Sequence, residues 1–382
     1  MVSFEDYKGR EQSYVKHVLL EQYLEALIHK TASAYPKIVY VDGFAGPWQS
    51  ANEDFKDTSF GIALDKLRRA KASWKERGRD VQMTALLVER NSTAFSKLQA
   101  LPSKFPEIAV KPYKGDFIEL IPTILKDIPH DAFAFFLIDP KGWHIPLKKL
   151  QPLLTRPKSE IIFNFMFEFI NRAASMKDAN IVAGLDELIP SGDWRTRLDG
   201  AHNAEERKAI LTDTFSECLK KAGGYAHVCE TTILRPLKDR ALYCLFYATR
   251  HETGLEVFRD CQVKALETQS ITRGLTKIDH AEQKTGQTEL FQSLNDMNSE
   301  EVAPLLAEHR SKAELLLLEF TPTAPNAILY KKLWPLILAQ CVVRKTDVNR
   351  ITARLRKEGK LIFPDWELRK QVPQADYRVQ RP

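Results

Sequence analysis

Short, strongly apolar runs alternate with segments of helical periodicity in the first part of the chain. Residues 11–30 carry apolar side chains three and four positions apart, the spacing of a helix with one buried face. Buried strands are predicted in the β-rich runs 37–46, 83–90, 108–117, 133–140 and 160–167. Strands that alternate with helical segments predict an α/β domain with a largely parallel sheet.

The pattern changes after residue 168. Residues 230–250 contain two apolar runs joined by the charged residues 238–240, which predicts an antiparallel pair that closes the sheet. Residues 251–268 have helical spacing, whereas residues 269–300 are polar with few large apolar side chains. We therefore expect a first domain over 1–268, a linker over 269–300 and a second domain over 301–382.

The formal charge is unevenly distributed. The net charge is +6, and residues 344–382, with eleven Lys/Arg and five Asp/Glu, account for all of it. A basic segment on a neutral body favours a polyanionic partner over a merely solvated face. The five cysteines have no CxxC spacing, the amino-terminal residues lack a secretory pattern, and no apolar run can span a bilayer. These features predict a reduced cytoplasmic protein with no metal site and no membrane contact.

Polar residues and glycines follow several of the predicted strands. Because the carboxyl ends of parallel strands meet at one edge of a sheet, these residues are candidates for a binding site. Glycines allow a ligand to approach the backbone, Glu89 can accept hydrogen bonds from ribose hydroxyls, and Asp116 can accept one from an adenine amino group. The combination predicts an adenosine-containing ligand. The candidate residues are Asp42, Gly43, Phe44, Ala45, Gly46, Glu89, Asp116 and Phe117.

These motifs resemble a known family. The runs YVDGFAG, LLVER, GDF and IDPKG look like the class I S-adenosylmethionine (SAM)-dependent methyltransferase fold, a Rossmann-like sheet with an antiparallel last strand. More narrowly, KHVLLEQYL, VDGFAGP, FFLIDPKGW, IIFNFM and LYCLFYATRH resemble the bacterial three-Cys-motif partner protein family over nearly the whole chain. The resemblance implies SAM as cofactor, a carboxyl-terminal winged-helix domain and a cysteine-motif, radical-SAM-like protein as partner. It also makes His17 a candidate cofactor residue.

The turn after the fourth strand resembles the Asp/Asn-Pro-Pro-aromatic turn of amino-directed nucleic-acid methyltransferases. The resemblance implies that the carboxylate of Asp139 and the carbonyl of Pro140 accept hydrogen bonds from the target amine. Lys141 and Gly142 depart from the pattern and shift Trp143 by one place. Trp143 either stacks on an extruded base or covers the sheet edge as an apolar lid.

Asn164 lies near the end of the otherwise apolar fifth strand. A buried amide needs hydrogen-bond partners, so Asn164 is either a site residue or a strand cap. The catalytic candidates are thus Asp139, Pro140, Trp143 and Asn164.

The carboxyl-terminal segment reads as helix, turn, helix and strand. Val348, Ile351 and Leu355 predict the buried face of the second helix, with Thr346 as its cap and Gly359 at its end. Segments 361–363 and 377–379 are predicted to pair as a wing. The pattern is that of a winged helix-turn-helix, whose basic helix contacts nucleic acid, although such domains also mediate dimerisation or protein docking. The candidate nucleic-acid-binding residues are Lys345, Asn349, Arg350, Arg354 and Lys357.

Three functions remain open from the sequence. The first is a SAM-dependent methyltransferase acting on nucleic acid, with DNA preferred over RNA. The second is a non-catalytic, methyltransferase-like nucleic-acid-binding partner or regulator of the cysteine-motif protein, and the third is a small-molecule methyltransferase. Residues 287–291, QTELF, also resemble a peptide that docks on the replicative sliding clamp, or anchor the linker through two apolar side chains.

Overall fold

The computed structural model describes residues 2–46, 50, 55–285 and 294–382, with the backbone alone at 285 and 294–301. The chain divides into two compact units, Met1–Arg250 and His251–Pro382. The possible clamp-docking peptide at 287–291 lies outside the described residues.

The first unit is an α/β domain. After a 3-10 turn at Phe4–Tyr7, its helices are α1 (Glu11–Ala34), α2 (Ser59–Glu76), α3 (Ser92–Leu98), α4 (Leu101–Lys104), α5 (Phe117–Asp127), α6 (Leu147–Leu154), α7 (Phe167–Ala173), α8 (Ala179–Leu188), α9 (Trp194–Asp199) and α10 (Ala204–Gly223). Its strands are β1 (Lys37–Asp42), β2 (Gln82–Glu89), β3 (Ala109–Lys114), β4 (Phe133–Ile138), β5 (Ser159–Phe165), β6 (His227–Arg235) and β7 (Lys238–Thr249).

The seven strands form one sheet in the order β3-β2-β1-β4-β5-β7-β6. Strands β1 to β5 pair in parallel, and β7 lies antiparallel between β5 and β6. The predicted fold class, a mostly parallel sheet with an antiparallel last strand, is confirmed. The strand order reverses between β1 and β4, which makes the carboxyl ends of these two strands the switch point where sheets of this kind bind ligands.

The central strands are apolar because helices cover both faces of the sheet. Every residue of β4 and β5 is buried. Their side chains share a core with α5, α6 and α10, in which Phe215 packs on Phe163, Phe165 and Phe246 at ring-centroid distances of 4.7–5.0 Å. This packing holds the carboxyl ends of neighbouring strands in register.

The second unit is mainly helical. It contains α11 (Glu252–Thr285), α12 (Leu294–Phe320), β8 (Ile328–Leu329), α13 (Tyr330–Gln340), α14 (Lys345–Lys357) and β9 (Arg378–Val379). Residues 269–285, predicted to begin a linker, are the last turns of α11 instead. Their polar composition does not mark a loop, because Gln269, Ser270 and Thr272 are buried side chains of a helix.

The helix pair at the end of the chain follows the predicted pattern with one correction. Val348 and Leu355 are fully buried in α14, and Gly359 takes the left-handed conformation (φ +73°) just after it. Thr346 is not the cap: α14 begins at Lys345, and the carboxylate of Asp347 accepts a hydrogen bond from the Arg344 N–H at 3.1 Å.

The two segments predicted to form a wing lie side by side. Ile362 and Gln380 form an antiparallel bridge with reciprocal N–H to carbonyl bonds of 2.8 and 3.0 Å, while β9 pairs with β8 on its other edge. Among the helices that the structure describes, none is long and apolar enough to cross a bilayer.

Candidate functional site

A cavity of about 940 Å³ lies at the carboxyl edge of the sheet in the first unit. Its size is that of a site for a nucleoside-sized ligand. The ends of β1, β2, β4 and β5, the start of α5 and one face of α1 contribute to its walls. Ten of the predicted site residues line it: His17, Gly43, Phe44, Gly46, Glu89, Asp116, Phe117, Asp139, Pro140 and Asn164.

Asp42 lies beneath this cavity and organises its floor. Its buried carboxylate accepts hydrogen bonds from the Phe44 N–H at 3.0 Å, the Ser59 hydroxyl at 2.6 Å and the Tyr40 hydroxyl at 3.0 Å. Burial raises the pKa of Asp42 to about 6, against the opposing effect of these hydrogen bonds. Asp42 therefore ties the end of β1 to the loop after it and to α2.

The glycine turn after β1 is shaped by an aromatic ring. A Cβ at Gly43 would lie 3.0 Å from the Phe117 ring, and that ring packs on Phe44 at a centroid distance of 5.5 Å. Gly43 is thus needed for Phe117 to close over the turn. Ala45 is buried, and its N–H donates to the Val88 carbonyl at 2.9 Å, so it holds the turn to β2.

Two carboxylates flank the next part of the cavity. Glu89, at the end of β2, is buried, and its Oε1 accepts a hydrogen bond from the Asn91 N–H. Asp116 caps α5 through a 2.9 Å bond from the Ile118 N–H, and its half-exposed side chain lies 3.9 Å from Arg90. Within the described residues, Glu89 Oε2 has no hydrogen-bond partner, so it is available to a hydroxyl-bearing ligand.

A charged cluster forms the wall at the end of β4. Lys16, on α1, pairs with Asp139, and Asn164 Nδ2 donates to Asp139 Oδ1 at 2.6 Å. Burial acts to raise the pKa of Asp139, but the Lys16 charge and these hydrogen bonds outweigh it and hold the pKa below its usual value. The carboxylate is therefore ionised and fixed in orientation at neutral pH.

Asn164 is buried near the end of β5, beside Asp139. Its amide donates to Asp139, while its buried Oδ1 has no hydrogen-bond partner in the described part of the chain. A cavity of about 10 Å³, the space of one water molecule, lies between Asn164, Lys16, Ser59 and Asp139. The amide carbonyl is therefore an unused acceptor beside Asp139.

Trp143 does not line the large cavity. Its ring packs on the apolar core and on His144 at 5.2 Å, and its Nε1 would lie 3.5 Å from a Cβ at Gly184 of α8. Trp143 is thus a partly buried side chain that packs against the core. His144, the residue after Trp143, lines the cavity, as do Pro140, Lys141 and Gly142 before it.

The charged wall residues that were not predicted as site residues include Arg10, Lys16 and Asp57. Arg10 Nη2 donates to Asp57 Oδ2 at 2.8 Å and to the Asp6 carbonyl at 2.9 Å, and the Ser50 hydroxyl donates to Asp57 Oδ1 at 2.6 Å. Within the described residues, Arg10 Nη1 and Nε have no acceptor. The partners are up to 123 positions apart, so no local sequence pattern signals them.

His17 lines the same wall as a neutral group. The Tyr7 hydroxyl lies 2.8 Å from His17 Nδ1, in hydrogen-bonding contact. Burial and the neighbouring Lys16 charge lower the pKa of His17 to about 3. The imidazole is therefore uncharged over the physiological range.

The five basic or polar candidates on α14 differ in their surroundings. Lys345 pairs with Glu256 at 3.1 Å, Asn349 Oδ1 accepts from the Tyr330 hydroxyl at 2.7 Å, and Arg354 pairs with Glu314. Arg350 and Lys357 are exposed, and the described part of the second unit offers neither of them an ion-pair partner. Of the five candidates, these two are therefore the most accessible cations for a polyanion.

No known family model matches the chain, and no curated protein matches it. Among solved structures, the chain is similar to a Legionella pneumophila protein of the DUF519 family, at 12% identity and a TM-score of 0.36, over 63% of this chain and 85% of that one. It is also similar to precorrin-6y C5,15-methyltransferase from Geobacter metallireducens, at 11% identity and a TM-score of 0.27, over 59% of this chain and 87% of that one. A third similar structure is a loganic acid methyltransferase with S-adenosylhomocysteine, at 7% identity and a TM-score of 0.27, over 73% of this chain and 91% of that one. Similarity this low does not indicate an activity, so the chemistry of the site has to follow from this chain's own residues.

Proposed function

We propose that the protein is a SAM-dependent methyltransferase that acts on an amino group of a nucleic acid, DNA in preference to RNA. The observation that carries the proposal is the cavity itself, where a ribose-type acceptor, Glu89, and a fixed carboxylate, Asp139, line the same walls. A scaffold that only binds a partner has no need for both groups at the edge where such sheets bind ligands.

The wall residues fit a bound SAM molecule. Glu89 Oε2 can accept from the ribose hydroxyls, Asp116 from the adenine amino group, and Phe117 can pack on the adenine. The unused Nη1 and Nε donors of Arg10 suit the α-carboxylate at the amino-acid end. The cofactor would supply an activated methyl group bonded to a positively charged sulfur.

The residues at the end of β4 would orient the methyl acceptor. Asp139, kept ionised by Lys16, and the carbonyl of Pro140 are placed to accept the N–H groups of an incoming amine. Accepting both N–H groups would orient the amine with its lone pair directed away from Asp139 and Pro140, and thus available for methylation. Asp139 is a weak base because its pKa is lowered, so the proton released after transfer passes to water.

The second unit supports a nucleic-acid substrate. Its order of helix, strand, helix, helix, a bridge at Ile362 and a last strand resembles that of a winged helix, in which α14 would be the recognition helix. Arg350 and Lys357, seven residues apart and thus on one face of α14, would contact phosphates.

A second candidate function has its own observation. Trp143 is packed on the core of the domain, so its indole is not offered to a base, and the turn after β4 presents the smaller imidazole of His144 instead. This favours the alternative in which the chain is a methyltransferase-like nucleic-acid-binding partner or regulator of a cysteine-motif, radical-SAM-like protein.

Calorimetric titration with S-adenosylhomocysteine separates the two. We expect micromolar binding that falls by about tenfold or more in Glu89→Ala, because charge-assisted hydrogen bonds to the ribose are lost. Lys97→Ala, on the outer side of α3, is the control. A folded protein that binds no SAM and no S-adenosylhomocysteine would exclude the methyltransferase and leave the partner function.

A further inference from the structure

The β6–β7 hairpin projects beyond the carboxyl edge of the sheet. Phe165, the last residue of β5, pairs with Cys244, so residues 233–243 continue past the end of β5. Tyr243 is the residue of this overhang next to the last paired residue, Cys244. It lines the cavity, and its hydroxyl donates to the Gln12 carbonyl at 2.6 Å. The hairpin is therefore an extension of the cavity wall.

Helix α7 starts at the same edge. It follows Met166, another residue that lines the cavity. Glu168 on α7 and Arg235 on the hairpin form a two-pronged ion pair, with Nε to Oε2 at 3.0 Å and Nη2 to Oε1 at 2.7 Å. Bidentate pairs of this kind fix relative orientation. The helix and the hairpin thus form one surface beside the cavity.

Two of the three exposed large apolar side chains that the structure describes in the first unit belong to this surface: Phe169 on α7 and Leu237 between β6 and β7, each 43% exposed. Cations accompany them. The Arg172 guanidinium lies 5.3 Å from the Phe169 ring centroid, and Lys238 and Arg240 are exposed on the hairpin. No ion pair of Lys238 or Arg240 occurs within the described residues. We call Phe169, Arg172, Leu237, Lys238 and Arg240 the α7–hairpin platform.

We propose that the α7–hairpin platform binds single-stranded nucleic acid and leads it to the cavity. Exposed aromatic rings stack on unpaired bases of any sequence, and the cations balance the charge of the adjoining phosphates. A duplex presents no free base face to Phe169, whereas an amine acceptor must leave the duplex stack to reach Asp139. Trp143 is packed on the core, whereas Phe169 on α7 is an exposed aromatic ring. The inference rests on the proposed function, and it names the form of its substrate.

Fluorescence anisotropy of the full chain with labelled 20-nucleotide single strands, and with the matching duplex, tests the proposal. The chain would carry Arg350→Gln and Lys357→Gln to reduce binding by α14. We expect Phe169→Ala to weaken single-strand binding about tenfold, the effect of losing one stacked base. Leu315→Ala, which removes a 67% exposed apolar side chain from the second unit, is the matched control and should leave binding unchanged.

The charges give a second readout. The affinity falls as the salt concentration rises. Arg172→Gln and Arg240→Gln should each make the plot of log affinity against log salt shallower by about 0.7, whereas Arg69→Gln on α2 should not. Single-strand affinity that is unchanged in Phe169→Ala and Arg240→Gln, or weaker than that for the duplex, would overturn the platform. Titration of the same proteins with S-adenosylhomocysteine keeps the hypotheses apart. Cofactor binding without strand binding refutes the platform alone, and platform-dependent strand binding without cofactor binding refutes the methyltransferase.

Discussion

Two groups of charged residues in this protein lie in opposite surroundings. At the cleft of the first unit, the side chains of Lys16 and Asp139 are only 17% and 18% exposed, and each restricts the other. On α14 of the second unit, Arg350 and Lys357 extend into solvent. Charges removed from water acquire fixed geometry and shifted pKa values, whereas exposed charges are screened and add their effects nearly independently. Chemistry is therefore expected at the cleft and general polyanion attraction at α14.

The largest effect of a single substitution is expected at Asp139. Asp139→Asn keeps the shape of the side chain but removes the charge that accepts the amine hydrogens. We expect methyl transfer to fall about a hundredfold or more, while binding of S-adenosylhomocysteine persists. Transfer of a labelled methyl group to nucleic acid measures the effect. Asp131→Asn, before the start of β4 and half exposed, is the matched control. Retained transfer in Asp139→Asn would remove Asp139 from the chemistry.

The pH dependence of the unfolding free energy tests the burial of Asp42. Its pKa is raised to about 6 from 3.8, so the native state binds this proton more tightly than the unfolded state does. Its contribution to stability is full below about pH 4 and is lost as the pH rises through 6. A difference of about two units corresponds to roughly 3 kcal/mol. Asp42→Asn should remove this fall in urea-unfolding free energy, and Asp65→Asn on the exposed side of α2 should not. Parallel pH profiles of Asp42→Asn and the wild type would contradict the shift.

A substitution at Arg10 tests whether the cleft binds the amino-acid end of the cofactor as well as its adenosine end. Arg10→Met should lower affinity for S-adenosylhomocysteine about tenfold and leave that for 5′-methylthioadenosine, which lacks the amino-acid end, unchanged. Competition calorimetry measures both ligands. Equal losses for the two would show that Arg10 acts only by holding Asp57.

The smallest effects are expected on α14. Arg350→Gln and Lys357→Gln should each lower the salt slope of duplex binding by about one and weaken affinity by a few fold. Lys345→Gln should lower the slope less, because Lys345 is already paired with Glu256 and stacked 4.3 Å from the Trp334 ring centroid. Equal slopes for all three variants would mean that α14 does not contact phosphates.

Much of the fold could be predicted because its signals are local. The runs that became β1 to β5 are apolar enough to be buried on both faces, and their alternation with helices determines a parallel sheet. The convergence of Glu89, Asp116 and Asp139 at one edge follows from that topology. Local signals failed where polar side chains are buried, as in α11, and where a cap depends on one backbone hydrogen bond, as at Arg344.

The sequence by itself determined which strands exist, in which order their ends carry carboxylates and glycines, and where the last helix begins and ends to within a residue or two. The tertiary structure alone decided the orientation of Trp143, the pairing of Lys16 with Asp139 and of Arg10 with Asp57, and which cations of α14 are free. The physical reason is distance along the chain: periodicity and turn chemistry act over a few residues. The charge and burial of a side chain depend on groups that packing brings together from distant segments.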